Sequence, residues 1–179
     1  MDMHLRIFNL YLILFNLYIK VDMSGTNDII LIATNFGIFR SGDGGSTITN
    51  VYSYCTGCSY YGSVSTIVKT SIGWLAYDRI NRMLLISTNI GATWTVSTST
   101  FVSVTASQAG RTTFSVAVPG DAVVYAVAAN AVTNHILDVY RSADGGATWT
   151  ALACNANGVP TNPKVGLQTD LDVMGNQAW

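Results

Sequence analysis

Short runs of alternating apolar and polar residues, each closed by Gly, Asn, Asp or Ser, fill most of the chain after position 23 and predict β-strands. They fall at 29–34, 37–41 and 47–52, then at 64–69, 73–78, 83–87 and 93–97, and finally at 113–118, 122–129, 137–142 and 148–152. No long charged helical stretch interrupts them. The runs group into units of four strands, and the first unit, read this way, lacks its opening strand.

Between the last two strands of each unit the same eight-residue pattern returns, Ser-x-Asp-x-Gly-x-Thr-Trp. It is complete over 142–149, has Ile48 in place of Trp over 41–48, and is worn over 87–94, where Asn89 replaces Asp and Ile90 the first Gly. The copies recur at roughly 50 residues, a spacing that suits a unit of a few strands such as a propeller blade. The chemistry of the pattern is that of a tight hairpin. An Asp or Asn side chain accepts from backbone N–H groups further along, and the Gly residues supply positive φ. On this reading Ser41, Asp43, Gly45 and Thr47, Ser87, Asn89, Gly91 and Thr93, and Ser142, Asp144, Gly146 and Thr148 are turn formers. Trp94 and Trp149 then fold back over their turns and bury apolar surface between neighbouring sheets.

This octapeptide resembles the Asp-box, or BNR, repeat of sialidases, xyloglucanase-type glycoside hydrolases, sortilin-type receptors and photosystem assembly factors. The resemblance implies an all-β, partial β-propeller of four-stranded antiparallel blades, about three of them, in residues 23–179. A closed ring has about 4–8 blades, so this chain is expected to need the remaining blades of a longer protein, or a homo-oligomer, to close. In that family the boxes lie on the face away from the active site. The opposite face is therefore the place for ligand contact, and it collects residues 35–36, 54–61, 78–82, 99–111, 130–135 and 155–170.

Residues 1–22 differ from the rest. An apolar run over 7–19, with Arg6 ahead of it, is too short for a bilayer, which takes about 20 residues, and fits the core of a secretion signal. Asp2 and the lack of an Ala-x-Ala site before Ser24 run against that. The competing readings are a strand or helix packed on the propeller, and a start codon upstream of a true start at Met23. Only 11% of the residues are charged, 49% are hydrophobic, and Ser and Thr abound. That mixture suits a secreted or cell-surface β protein. The net charge of −1 offers no basic footprint for nucleic acid.

Cys55 and Cys58 form a Cys-x-x-Cys, but Cys154 is the one further cysteine and His4 and His135 are the only histidines, so a zinc site lacks its second half. A loop disulfide or buried thiols is the preferred reading, and no metal or cofactor is expected. The sialidases that share the repeat hold a substrate carboxylate with three arginines, beside a Tyr–Glu pair and an Asp acid/base. On the expected face stand Arg79, Arg82 and Arg111, with Asp78 nearby. The Arg-Ile-Pro motif of the first sialidase arginine is absent, and Arg79 and Arg82 share one loop. Asp170 and Asp172 are the close acidic pair for a two-carboxylate hydrolase. As a binding surface, Tyr54, Tyr60 and Tyr61 offer aromatic faces with polar tips to a glycan or an extracellular protein. The expectation is an exported propeller module for glycan or protein recognition, or scaffolding within a larger protein. The alternative is a fragment of an exo-acting glycoside hydrolase whose catalytic groups lie mostly elsewhere.

Overall fold

The computed structural model describes residues 18–23, 25, 27–53, 64–97, 109–130 and 136–152. Among them are twelve strands and no helix. They make three four-stranded antiparallel sheets, in the order β1-β2-β3-β4, β5-β6-β7-β8 and β12-β11-β10-β9, so each sheet is a meander of consecutive strands. The first comprises β1 (Tyr18–Asp22), β2 (Ile29–Thr34), β3 (Gly37–Ser41) and β4 (Thr49–Tyr52). The second comprises β5 (Val64–Thr70), β6 (Gly73–Asp78), β7 (Met83–Ser87) and β8 (Thr95–Val96). The third comprises β9 (Ala109–Val116), β10 (Val124–Asn130), β11 (Ile136–Ser142) and β12 (Thr150–Ala151). These are blades of an incomplete propeller. Their inner strands β1, β5 and β9 lie next to one another.

The first blade has four strands, not the three given by alternation. Its opening strand, β1, lies inside the 1–22 segment and pairs with β2 from Tyr18↔Ala33 to Asp22↔Ile29. Its pattern is inverted, with Ile19 and Val21 exposed and Asp22 buried, so the strand merges in sequence with the apolar run before it.

Burial follows from position in the blade. The second strands, Ile-Ile-Leu-Ile-Ala-Thr and Gly-Trp-Leu-Ala-Tyr-Asp, are buried over five of six positions, because a strand covered on both faces reads as a continuous apolar run. The outer strands β4, β8 and β12 are short, rich in Thr and mostly exposed, which blunts their unpaired edges.

Two apolar clusters fill the spaces between blades. One joins Leu31, Ala33 and Ile38 of the first blade to Val64, Ile67, Trp74, Ala76 and Leu85 of the second. The other joins Val68, Leu75, Tyr77 and Leu84 of the second to Phe114, Val124, Ala126, Ala128, Tyr140 and Trp149 of the third. A part-buried ion pair crosses the first of these interfaces, with Lys69 Nζ 2.7 Å from Asp22 Oδ2. Across the second, Ser71 N–H donates to the Asp121 carbonyl (3.0 Å) and Gly120 N–H to the Lys69 carbonyl (3.0 Å).

Candidate functional site

The octapeptide turns connect β3 to β4, β7 to β8 and β11 to β12, and all three close by hydrogen bonds between the same positions. In the first, Ser41 Oγ donates to Asp43 Oδ1 (2.8 Å) and accepts from Gly45 N–H (2.8 Å). Asp43 also takes the Thr47 N–H on Oδ1 (2.8 Å) and the Thr47 hydroxyl on Oδ2 (2.7 Å). Ser142, Asp144, Gly146 and Thr148 repeat this at 2.7, 2.8, 2.9 and 2.6 Å. In the worn copy Asn89 Oδ1 accepts from Ser87 Oγ (3.0 Å) and Thr93 N–H (2.9 Å), while its amide nitrogen donates to the Thr93 hydroxyl (2.8 Å). The threonine hydroxyl thus donates to a carboxylate and accepts from a carboxamide, and the backbone is unchanged.

These donors hold both aspartates ionised. The Thr47 backbone N–H, then the Thr47 and Ser41 hydroxyls, lower Asp43 to about 2. For Asp144 the Thr148 hydroxyl leads, followed by the Thr148 N–H and the Ser142 hydroxyl, and the value is again about 2. The indoles fold back over the turns. Trp94 Nε1–H donates to the Gly91 carbonyl (3.2 Å) and Trp149 Nε1–H to the Gly146 carbonyl (3.1 Å). Trp149 is buried and stacks on Phe114, with ring centroids 5.7 Å apart.

Each later turn also touches the blade before it. A Cβ built on Gly91 would run into Leu31, and one on Gly146 into Leu75, so the backbone of each turn lies directly on the second strand of the preceding blade. In the opposite direction, Arg40 Nε–H donates to the Ile90 carbonyl at 2.9 Å. Arg40, which stands directly before its turn serine as Arg141 does before Ser142, therefore grips the next blade's turn.

On the opposite face, Asp78 ends β6 and is fully buried. Its Oδ1 accepts from the Ile80 and Asn81 N–H groups, both at 3.0 Å. Oδ2 accepts from the Asn81 amide (2.7 Å) and the Tyr52 hydroxyl (2.9 Å). Both oxygens are engaged, and the carboxylate shapes the 79–82 turn while tying β4 of the first blade to the second. Arg82 sits in that turn at φ 57°, in the left-handed region. Beside it Tyr77 is pushed up to about 12, chiefly by burial, against the lowering effect of a Thr112 hydrogen bond and the Arg82 charge.

The structure thus brings Asp78, Arg79 and Arg82 into one turn, with Arg82 near Tyr77, and places Arg111 on the inner strand of the next blade. Sequence reasoning did not single out Tyr77, Thr112 or Asp138, a buried acid whose Oδ1 accepts from Val139 N–H at 2.7 Å. A charged residue flanked by Ile-Leu and Val-Tyr, at a position that alternates in phase with the buried Tyr140, is the signal that marks Asp138. Tyr54, Tyr60, Tyr61, Asp170 and Asp172 lie outside the described residues, as do the three cysteines and both histidines. Among the described residues, no group of three or more His, Cys, Asp or Glu side chains could hold a metal ion. No family model and no curated protein matches this chain.

Proposed function

We propose that this chain is an exported recognition or scaffolding module of the Asp-box type, whose octapeptide turns are structural clasps and whose opposite face meets a glycan or an extracellular protein. The observation that carries this reading is the state of Asp78. It is the described acid best placed for chemistry on that face, yet all of its acceptor capacity toward neighbours goes into a turn and an interblade tie. A carboxylate committed to four donors has no lone pair directed at a substrate proton, which a general acid or base requires. The surface left for contact is that of the loops, and the tyrosine-rich 54–61 segment supplies its aromatic, hydroxyl-tipped groups. The low charge and the apolar run over 7–19 support export.

A glycan array and a library of extracellular protein fragments, probed with the chain and with Tyr60→Ala/Tyr61→Ala, test this. Retention by the native chain, with loss in the variant at an unchanged melting temperature, is expected. Turnover of an aryl glycoside by the native chain would overturn the reading, as would retention that the double variant leaves intact.

A further inference from the structure

Strand register aligns the two seams between blades position by position, because Ile30, Trp74 and Val124 each lie opposite the serine of their own turn. Toward the first blade, the second blade turns the row Val64–Asp78–Met83, joined by the pairs Val64↔Asp78 and Asp78↔Met83. At the same level the third blade turns toward the second the row Thr112–Ala128–Asp138. Val64 and Met83, which pack in the apolar first seam, thus have Thr112 and Asp138 as counterparts in the second. Facing these rows from the preceding blade, Ala33 of the first seam is matched by Tyr77 in the second. Thr112, Tyr77 and Asp138 are all buried. The second seam is therefore polar where the first is apolar.

A bulge in β5 adds to this polar set. Its pairing with β6 steps from Val64↔Asp78 to Ile67↔Ala76, so Ser65 and Thr66 together oppose Tyr77. Val64 and Ile67 both pack in the first seam although they stand three positions apart, and the extra residue turns Ser65 and Thr66 toward the second. Ser65 Oγ bears this out by donating to the Thr112 carbonyl at 2.7 Å, which ties β5 to β9. Thr66 is 0% exposed, and its Oγ1 has no hydrogen-bond partner. Thr112 Oγ1, equally buried, has the Tyr77 hydroxyl beside it and no further partner. A hydroxyl shut away from solvent without a partner carries the full cost of its desolvation.

We infer that the second seam binds one ordered water between the hydroxyls of Thr66 and Thr112, with the Tyr77 hydroxyl as its third partner. A buried water takes two to four polar partners, and hydroxyls suit it because each can donate or accept. The donor set is matched to water rather than to a metal ion, since calcium and magnesium call for several carboxylate or carbonyl oxygens and these three groups are neutral hydroxyls. The bulge is the device that makes the site, because without the extra residue β5 could not turn two successive hydroxyls to one side. The water extends the tie that Ser65 begins. It joins β5 and β9 at their starting ends, away from the octapeptide turns, where the chain enters both strands from the contact face.

A crystal structure of the whole chain tests this, together with thermal melts of Thr66→Val, Thr112→Val and the double variant. Electron density for a water within about 3 Å of both Oγ1 atoms is expected. Valine keeps the shape of threonine and removes the hydroxyl. With the water bound, either single variant leaves it one partner short, and the midpoint should fall by about 2–4 °C. The double variant releases the water altogether and should melt no lower than the weaker single variant, so that the two effects do not add. If the hydroxyls instead stand dry, valine removes an uncompensated polar group and each single variant melts above the native chain. That outcome would overturn the inference, as would additive losses, or a native structure in which Thr66 Oγ1 meets no water. If a variant does not fold, the native density alone decides. Glycan or protein retention by the native chain does not depend on this water and is judged separately.

Discussion

Replacing Ser142 by Ala isolates the part of the octapeptide turn that water cannot repair. Ser142 is 1% exposed, and its Oγ accepts from Gly146 N–H at 2.8 Å and from Asp144 N–H at 3.2 Å. Gly146 is itself buried, under Trp149 and against Leu75, so the variant leaves its N–H without an acceptor. Leaving a buried donor unsatisfied costs about 1–3 kcal/mol, while Asp144, half-exposed, replaces its lost donor with water at little cost. For a chain of this size about 1 kcal/mol moves the midpoint by about 2–4 °C, so a fall of about 2–12 °C is expected. Thr148→Val removes a hydroxyl from the same network at an exposed position and should cost less than about 1 kcal/mol. Urea titrations of both variants, compared at equal m-values, give the two numbers. If Thr148→Val costs as much as Ser142→Ala, burial does not decide the energetics of the turn and the reasoning fails.

Acid should loosen the turns in a defined window. Asp43 and Asp144 have folded values of about 2, below the ordinary 3.8, so their contribution is complete above about pH 4 and is lost as pH falls through about 2. Asp144→Asn should make the fall in melting temperature over that window shallower, and superimposable curves would contradict the assignment. Lys69→Met strips the cation from a nearly buried Asp22 and should destabilise by about 2–3 kcal/mol, less than a fully enclosed pair would lose because Lys69 is one-third exposed. Adding Asp22→Val should restore most of this in denaturant melts, and a double variant no more stable than Lys69→Met would refute the pair's role.

Much of the architecture was legible because it rests on local signals. Alternation located the second and third strands of every blade to within a residue or two, and the octapeptide located their outgoing turns, since both depend on neighbours within eight positions. The outer strands β8 and β12 are shorter than alternation suggests, because nothing beyond them continues the ladder. The first strand was obscured for the opposite reason, since Ile19 and Val21 face outward and leave no polar-out pattern to separate them from the apolar run. Contacts between blades were not legible. Lys69 meets Asp22, and Arg40 meets Ile90, across about 50 residues with no shared motif, and only the packed register brings them together. On the candidate site, the sequence put Asp78, Arg79 and Arg82 in one loop, and the structure adds that the acid of that loop is consumed by it.

The contact between blades has a direction, and that direction bears on how such a chain grows. Each turn after the first leans on the unit before it, and where an arginine precedes the turn serine, as in Arg40, it reaches the unit after. A duplicated segment cut at equivalent points would bring both halves with it and join its neighbours without any new complementarity. Ile86, standing where the other two units have Arg, shows that the polar half tolerates loss once the glycine-on-leucine seat is kept. Length can therefore change by whole units while the rules for adding one stay the same.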